Sequence, residues 1–302
     1  MKKALVLSGG FMHGAFQVGV LQYLLTHLRM KYDMILGVSV GAINGSFISQ
    51  FPHGQEEEAW VALNKLWEGL KGNEDIYKKW YNGWLWNFPA LWKPSLYDST
   101  PLRKLLNNNL DPEKVAASGK IFRAGAVGIN SGHYKEWTEG DGKNLTLGVE
   151  ASAAYPAVLT PVEIDGEIWI DGGVHNVVPL GSAIDLGADL IDIVITMSLK
   201  PSVLSKKDPK ALKVAEQAIN LQNDEIIRGD LNQLELINQL VSAGKADNKR
   251  YIKYRLFKPD SALSDDSFQV DPENIRAQRR IGYKKAEEVV AQRSKEIPLS
   301  LK

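Results

Sequence analysis

The sequence predicts an α/β protein in which helices cover a central parallel sheet. Two successive units carry this prediction, since each has a short apolar strand, a turn rich in small residues and then a helical pattern. The two strands are 4–7 and 34–38. With 302 residues, of which 44% are hydrophobic, the chain is large enough to bury the core of such a fold.

The first unit predicts a strand over 4–7, a glycine-rich loop over 8–14 and a helix over 15–29. Backbone N–H groups of such a loop converge near a helix N-terminus, where negative charge is favoured, so the loop is a candidate oxyanion hole. A dinucleotide-binding loop is the alternative. It is disfavoured because the glycine spacing is not G-x-G-x-x-G and no acidic residue ends the second strand at the usual distance.

The second unit contains the stretch GVSVGAIN, in which Gly37 and Gly41 lie two positions either side of Ser39. The spacing G-x-S-x-G is typical of a tight strand-to-helix turn that exposes a serine hydroxyl. Ordinary turns between a strand and a helix also produce this pattern by chance. The motif alone therefore leaves open whether Ser39 is a nucleophile.

The remaining chain continues the alternation of strands and helices within one domain, which we expect to span residues 1–302. The further elements predicted are strands at 121–127, 167–170, 190–197 and 251–258, and helices at 212–240 and 272–292.

Residues 51–115 differ from the rest of the chain because they hold six of its eight tryptophans. We predict that they form a helical, tryptophan-rich insertion within the domain. Its aromatic side chains either pack inward as part of an ordinary core, or form a wall that contacts acyl chains or a lipid interface. The sequence leaves both interpretations open.

Composition excludes several classes of function. The chain has no cysteine, which excludes disulfides, thiolate nucleophiles and cysteine-ligated zinc. Basic and acidic residues number 36 each, so no overall field favours nucleic acid as a partner. His27, His53 and His133 show no ligand spacing. We therefore predict no metal, no cofactor and no nucleic-acid partner.

The N-terminus lacks the pattern of a secretion signal. Its apolar run ends at a glycine pair, and polar residues interrupt the next apolar stretch. No segment approaches the ~18 apolar residues needed to span a bilayer. We expect a cytoplasmic protein, with peripheral membrane contact as an open alternative, and no feature of the sequence indicates its oligomeric state.

Asp171 directly follows the predicted strand at 167–170 and precedes two glycines, Gly172 and Gly173. A serine nucleophile needs a base to take its proton and donors to hold the oxyanion that forms. Asp171 is the best candidate for that base. The alternative is a β-turn in which Asp171 caps its own backbone.

Taken together, these three stretches resemble the patatin-like acyl hydrolases, in particular bacterial members. The family's loop G-G-G-x-[RK]-G aligns with residues 9–14, its G-x-S-x-G turn with 37–41 and its D-G-[GA] motif with 171–173. Order and spacing both fit, and the resemblance covers nearly the whole chain, more weakly at 51–115. It implies a three-layer α/β/α fold with a central, mostly parallel sheet.

The resemblance also implies a Ser-Asp dyad that cleaves carboxylic esters of lipids, as a phospholipase A or lysophospholipase does. Ser39 would attack the ester carbonyl and Asp171 would take its proton. The backbone N–H groups of Gly9, Gly10 and Phe11 would hold the oxyanion. Seven further residues would support the site: His13, Gly14, Gly37, Gly41, Asn44, Gly172 and Gly173. To act as a base near pH 7, Asp171 should be desolvated and lack an arginine partner.

Two residues depart from the family's loop. Phe11 stands where the family has a third glycine, and phenylalanine does not easily adopt a positive φ. His13 stands where the family has arginine or lysine, and it is cationic only part of the time near neutral pH. Activity that depends on its charge would fall as the pH rises through roughly 6 to 7. These departures leave an alternative, a catalytically weak member that acts mainly as a lipid-binding or regulatory module.

His175 lies four residues after Asp171 and raises the alternative of a Ser-His-Asp triad. In α/β-hydrolases the histidine usually lies far downstream on its own loop, and the resemblance leaves position 175 variable. We therefore predict that His175 is a partly exposed turn residue without a catalytic role.

Overall fold

A sheet of eight strands forms the middle layer of the protein. The computed structural model describes residues 1–81, 92–199, 211–246, 249–264 and 266–296. Ten strands occur in these ranges, namely β1 (Lys3–Leu7), β2 (Met34–Val38), β3 (Lys78–Lys79), β4 (Tyr97–Asp98), β5 (Ile121–Gly128), β6 (Tyr134–Thr138), β7 (Val162–Ile164), β8 (Glu167–Asp171), β9 (Leu190–Val194) and β10 (Lys253–Phe257). Among the described residues, the short strands β3 and β4 form a separate pair.

The strand order of the large sheet is β10-β9-β1-β2-β5-β8-β7, and β6 also pairs with β5. The strands from β10 to β5 are all parallel to their neighbours. The pairs that β5 makes with β6 and β8, and the pair of β7 with β8, are antiparallel. The sheet is therefore mostly parallel, as the sequence predicts.

Helices cover both faces of this sheet. They are α1 (Gly14–Gln22), α2 (Val40–Ser49), α3 (Glu56–Gly69), α4 (Thr100–Asn109), α5 (Pro112–Ala117), α6 (Asn144–Ser152), α7 (Leu180–Asp185), α8 (Ala211–Ser242) and α9 (Pro272–Glu296). A π-helical turn, Tyr23–His27, continues α1, and the 3-10 turn Phe11–His13 precedes it. None of the helices in the described ranges is both long enough and apolar enough to cross a bilayer.

Side chains alternate between the two faces of the sheet along each strand, and this divides the hydrophobic core into two clusters. In β1, Leu5 and Leu7 belong to a cluster with side chains of α1, α2 and α3, whereas Ala4 and Val6 belong to a second cluster with side chains of α7 and α8. Successive residues of a strand point to opposite faces, so a strand buried on both faces must be apolar throughout. This explains the uninterrupted apolar runs in β1 and β2 and produces three layers.

The register of the sheet brings the predicted site motifs to one edge. Leu7 at the end of β1 lies opposite Gly37 in β2, so the glycine-rich loop begins beside the turn at Ser39. In β5, Gly125 lies opposite Val38 and Ala126 lies opposite Asp171.

Because β5 lies between β2 and β8, the same register places Asp171 level with Ser39, although 132 positions of sequence numbering separate them. The residues of β5 that pair with β8 are 126–128, the part of β5 that extends beyond the residue opposite Val38. The last residue of β8, Asp171, therefore lies level with Ser39 although β8 runs antiparallel to β5.

The elements predicted from the sequence are confirmed, with small differences at their ends. The predicted helix over 15–29 is α1 together with its π-helical extension. Strands β6 and β7 were not predicted from the sequence. β6 has the mixed sequence YKEWT and β7 has only three residues, so neither shows a clear apolar pattern.

The described parts of 51–115 combine helices with the small β3–β4 pair. Trp67 is buried in the core, whereas the side chain of Trp92 is 82% exposed. Trp84 and Trp86 lie outside the described residues. The inward-packing interpretation therefore fits Trp67, and an exposed aromatic surface fits Trp92.

Candidate active site

Ser39 occupies a strained turn between β2 and α2. Its φ and ψ are 57° and −128°, a conformation that is rare for a residue other than glycine and typical of a nucleophile held on a sharp strand-to-helix turn. The residue is 6% exposed. Its hydroxyl lies at the N-terminus of α2, where developing negative charge is favoured.

Four of the predicted glycines lie where the neighbouring chain leaves no room for a side chain. At Gly37, Gly41 and Gly172, a Cβ would lie within 2.4 Å of a backbone carbonyl oxygen. At Gly14 it would lie 2.3 Å from the side chain of Val40. At Gly41, for example, the nearest atom would be the carbonyl oxygen of Leu7 in β1. These glycines therefore let α2, β1 and the two turns pack against one another.

The glycine-rich loop lies directly against Ser39. A Cβ at Gly9 would be 3.1 Å from the Cβ of Ser39. Within the part of the chain that the structure describes, the backbone N–H groups of Gly9, Gly10 and Phe11 donate to no acceptor. Unpaired N–H groups beside a serine hydroxyl are the arrangement that an oxyanion hole requires.

Two polar residues outside the motifs fix this loop. The hydroxyl of Thr196 donates to the carbonyl oxygen of Gly9 at 2.6 Å, and its N–H donates to Oγ of Ser8 at 3.1 Å. Gly10 has a φ of 142°, and a Cβ there would be 2.0 Å from Oγ1 of Thr196. Gln17 on α1 donates to the carbonyl oxygen of Ser8 at 2.8 Å. The carbonyl groups of Ser8 and Gly9 are thus held by side chains outside the motifs, which fixes the orientation of the loop.

Phe11 adopts a positive φ of 50°, contrary to the expectation drawn from its residue type. Its ring packs on Phe268 with 4.0 Å between ring centroids and on Tyr155 with 4.9 Å. Aromatic contacts at such distances are favourable and offset the steric disadvantage of the left-handed conformation. The substitution of glycine by phenylalanine has therefore not changed the backbone of the loop into an ordinary turn.

His13 is neutral near pH 7, so the expectation of a partly cationic residue is wrong. Burial lowers the pKa of His13 to about 4, and the nearby Asp266 raises it by a smaller amount. Its Nε2 forms a hydrogen bond with Oγ of Ser264 at 3.0 Å. His13 therefore connects the loop to a later segment of the chain rather than supplying charge, and it gives no reason for activity to fall between pH 6 and 7.

Asp171 ends β8 as a buried carboxylate that is 2% exposed. Its Oδ1 accepts the N–H of Gly173 at 2.7 Å. Its Oδ2 is buried and has no hydrogen-bond partner among the described residues. Burial raises the pKa of Asp171 to about 7, while the side chain of Ser39 and the N–H of Gly173 lower it by smaller amounts.

Because the side chain of Ser39 lowers that pKa, it lies near the Asp171 carboxylate, although among the described residues no hydrogen bond of ordinary geometry joins the two. Catalytic hydrogen bonds are often long until substrate is bound. No arginine contributes to the pKa of Asp171. The carboxylate therefore meets both conditions set out above for a base near pH 7.

Asn44 on α2 connects the turn at Ser39 to the first helix. Its Nδ2 donates to the carbonyl oxygen of Gly14 at 3.2 Å and to Oε1 of Gln17 at 2.9 Å. Its Oδ1 accepts Nε1–H of Trp67 at 2.8 Å. A single buried amide thus holds α1, α2 and α3 together beneath the site.

His175 is exposed and takes part in neither of the contacts that a triad needs. Its ring stacks on Tyr134 with 5.4 Å between centroids. Across the described ranges, no hydrogen bond joins its ring to Ser39 or Asp171. The arrangement agrees with the prediction of a turn histidine.

The sequence reasoning missed the turn that follows α6, which contacts all three motifs. Ser152 is fully buried, and its Oγ accepts the N–H of Ser39 at 2.9 Å. The carbonyl oxygen of Ala154 accepts the N–H of Asp171 at 2.9 Å, and Tyr155 contacts Phe11. The stretch ASAAYP shows no periodic or catalytic pattern, so only its contacts reveal this role.

Acidic and histidine side chains are also the usual ligands of metals. In the ranges that the structure describes, no group of three or more such side chains is arranged to hold a metal ion. The polar groups around Ser39 are instead a hydroxyl, one carboxylate and backbone amides, which together suit acyl transfer.

Comparison with known proteins gives three findings. Residues 5–184, which include the glycine-rich loop, Ser39 and Asp171, match the family model of the patatin-like phospholipases. The chain is 26% identical over 195 residues to the "Probable lipid hydrolase 463L" of Invertebrate iridescent virus 6, and the match covers 60% of this chain and 63% of the viral protein. The chain therefore matches less than two thirds of the length of that viral protein. Among solved structures, VipD from Legionella pneumophila is similar at 13% identity with a TM-score of 0.47, over 96% of this chain and 67% of VipD.

Proposed function

The chain belongs to the patatin-like phospholipase family, and from that premise we propose that it hydrolyses carboxylic esters of lipids with a Ser39–Asp171 dyad. Phospholipids and lysophospholipids are the proposed substrates, so the activity is of the phospholipase A or lysophospholipase type. The similarity to a protein named as a probable lipid hydrolase supports a lipid ester over other esters.

In the first half of the proposed reaction, Oγ of Ser39 forms a bond to the ester carbonyl carbon while its proton passes to Oδ2 of Asp171. The carbonyl oxygen becomes an oxyanion, and the N–H groups of Gly9, Gly10 and Phe11 donate to it. The carbon–oxygen bond to the alcohol then breaks, and the departing alcohol oxygen takes the proton from Asp171. The products of this half are the free alcohol and an acyl group on Ser39.

In the second half, water replaces the alcohol. The water oxygen attacks the acyl carbonyl carbon while Asp171 takes a proton from the water. The same N–H groups hold the second oxyanion. The bond to Oγ of Ser39 breaks, the serine oxygen regains its proton from Asp171, and the fatty acid leaves. One carboxylate serves as base and acid in turn, so no histidine is needed.

The observation that carries this proposal is the state of Asp171. A carboxylate with the usual pKa of about 3.9 would be a weak base at neutral pH. Burial raises the pKa of Asp171 to about 7, which matches it to proton transfer at physiological pH. Its Oδ2 is buried and has no hydrogen-bond partner among the described residues, so it is the oxygen that we propose receives the proton.

The alternative of a catalytically weak, lipid-binding member rested on the two departures in the loop. Phe11 retains a positive φ and an unpaired N–H, and His13 makes a structural hydrogen bond. Neither observation favours loss of activity, so hydrolysis is the function we propose.

An active-site-directed probe tests the proposal. A fluorophosphonate should label the wild-type protein with one probe per chain at Ser39, and Ser39→Ala should remain unlabelled. Wild-type protein should also release fatty acid from phosphatidylcholine or lysophosphatidylcholine vesicles, measured by mass spectrometry. Wild-type protein that binds these vesicles but neither reacts with the probe nor releases fatty acid would refute the proposal in favour of the lipid-binding alternative.

A further inference from the structure

An aromatic cluster lies against the glycine-rich loop and is not used by the proposed chemistry. It consists of Phe11, Tyr155 and Phe268, and each ring contacts the other two. The ring centroids are 4.0 Å apart for Phe11 and Phe268, 4.9 Å for Phe11 and Tyr155, and 6.0 Å for Tyr155 and Phe268. All three residues are half-buried. The three rings come from distant parts of the sequence, so only the fold brings them together.

Phe11 is the member of the cluster whose backbone needs support. A side chain with a Cβ disfavours the left-handed region, whereas glycine occupies it freely. The N–H of Phe11 is one of the three proposed oxyanion donors, and its direction depends on the φ of Phe11. If Phe11 left its positive φ while the helical turn after it stayed in place, the peptide plane that carries this N–H would rotate and the donor would change direction.

Phe268 is itself fixed on several sides. Its carbonyl oxygen accepts the hydroxyl of Tyr77 at 2.8 Å, and its N–H donates to Oδ1 of Asp266 at 3.0 Å. One residue earlier, the carbonyl oxygen of Ser267 accepts the N–H of Met12 at 3.1 Å. The chain around Phe268 therefore binds the loop through its backbone as well as through the ring.

We propose that Phe268 is a positioning residue: together with Tyr155, it holds Phe11 in the left-handed conformation that orients the third oxyanion donor. A loop with glycine at this position needs no such support. In this chain the geometry of the oxyanion loop depends instead on a segment more than 250 positions away in the sequence. The inference rests on the proposed hydrolase function.

A double-mutant cycle tests this inference, with p-nitrophenyl butyrate as a soluble ester. Phe268→Leu keeps apolar volume but removes the ring, and it should lower kcat about 5- to 30-fold, the population cost of an unsupported left-handed residue. KM should stay within about twofold, because the donor acts on the transition state. In a Phe11→Gly background, the same Phe268→Leu change should lower kcat by less than about threefold, since glycine needs no support.

Two further variants separate positioning from general stability. Tyr155→Leu removes the other supporting ring and should show the same non-additivity with Phe11→Gly. Tyr283→Leu is the matched control, because the ring of Tyr283 contacts Tyr23 edge-to-face with 5.4 Å between centroids, in the π-helical turn that follows α1. It should lower Tm but leave kcat unchanged.

Each outcome decides the inference. Equal losses of kcat from Phe268→Leu in both backgrounds, or a loss in KM alone, would overturn it and leave the proposed hydrolysis intact. The inference is supported if Phe268→Leu lowers kcat strongly in the wild-type background and only slightly in the Phe11→Gly background, while Tyr283→Leu leaves kcat unchanged. Wild-type protein without esterase activity or fluorophosphonate labelling would overturn the inference together with the proposed function.

Discussion

Replacing Asp171 by asparagine should remove most of the activity, and it should make the fold more stable relative to wild type at pH 8 than at pH 5. The native pKa of about 7 exceeds the reference value of 3.8, so between these values the native state binds more protons than the unfolded state. Wild-type stability therefore falls as the pH rises through this window. At 1.36 kcal/mol per pKa unit, the ionised carboxylate costs about 4 kcal/mol at pH 8 but only about 1.6 kcal/mol at pH 5.

Asparagine does not titrate, so the free energy of unfolding of Asp171→Asn minus that of wild type should increase by roughly 2.5 kcal/mol between pH 5 and pH 8. The pH difference is the informative quantity, because the new amide adds a constant cost from its own buried N–H groups. Denaturant titrations at both pH values, followed by circular dichroism, measure it. Ser39→Ala is the control, since it is also inactive but keeps the titrating carboxylate, so its stability should still fall between pH 5 and pH 8.

The same variant should lose about 10²- to 10⁴-fold in kcat, as expected when a proton-transfer group is removed. A stability difference between Asp171→Asn and wild type that is the same at pH 5 and pH 8 would refute the argument that burial raises this pKa. Near-wild-type hydrolysis by Asp171→Asn would refute its assignment as the base.

Four further predictions follow from the site and its surroundings. The wild-type kcat/KM for a soluble ester should rise with pH and level off above about 7 as Asp171 ionises; a fall over that range would contradict this. Ser152→Ala removes the acceptor of the nucleophile's N–H and should lower kcat about 2- to 12-fold with KM unchanged, and a pure change in KM would argue against positioning. His175→Ala should retain at least about a few tenths of the wild-type rate, whereas inactivity would revive the triad. Trp92→Ala should lower activity on vesicles more than activity on a soluble ester, because Trp92 is exposed and available for lipid contact. Tyr251→Ala, at another exposed aromatic residue, should change neither activity. Equal losses from Trp92→Ala on both substrates would contradict lipid contact.

The glycine motifs explain why so much of the candidate site could be predicted from the sequence. Gly37 and Gly41 are required by backbone atoms that approach within 2.4 Å of where a Cβ would be, and such a local steric requirement is visible in the sequence itself. Asp171 was predictable for a similar reason, because it ends an apolar strand and precedes two glycines. These features belong to short stretches whose geometry is largely local.

The state of His13 could not be predicted in the same way. Its residue type suggests a pKa near 6.5, but burial lowers the pKa to about 4. Burial at this position depends partly on the segment around Ser264, which forms a hydrogen bond with His13 from 251 positions away. Phe11 was misjudged for the same reason, because the rings that support its positive φ come from distant residues.

The sequence by itself determined the layered α/β fold, the strands that are apolar on both faces, and the order of the loop, the serine turn and the aspartate. These follow from the period of apolar residues and from where only glycine fits, which are local properties of the chain. Only the tertiary structure decided that β8 pairs with the extended end of β5, which brings Asp171 level with Ser39. It alone also decided that the Asp171 carboxylate is desolvated and that Ser152 holds the turn at Ser39. Strand direction, burial and contacts between distant residues depend on how the whole chain packs, and no short stretch of sequence carries that information.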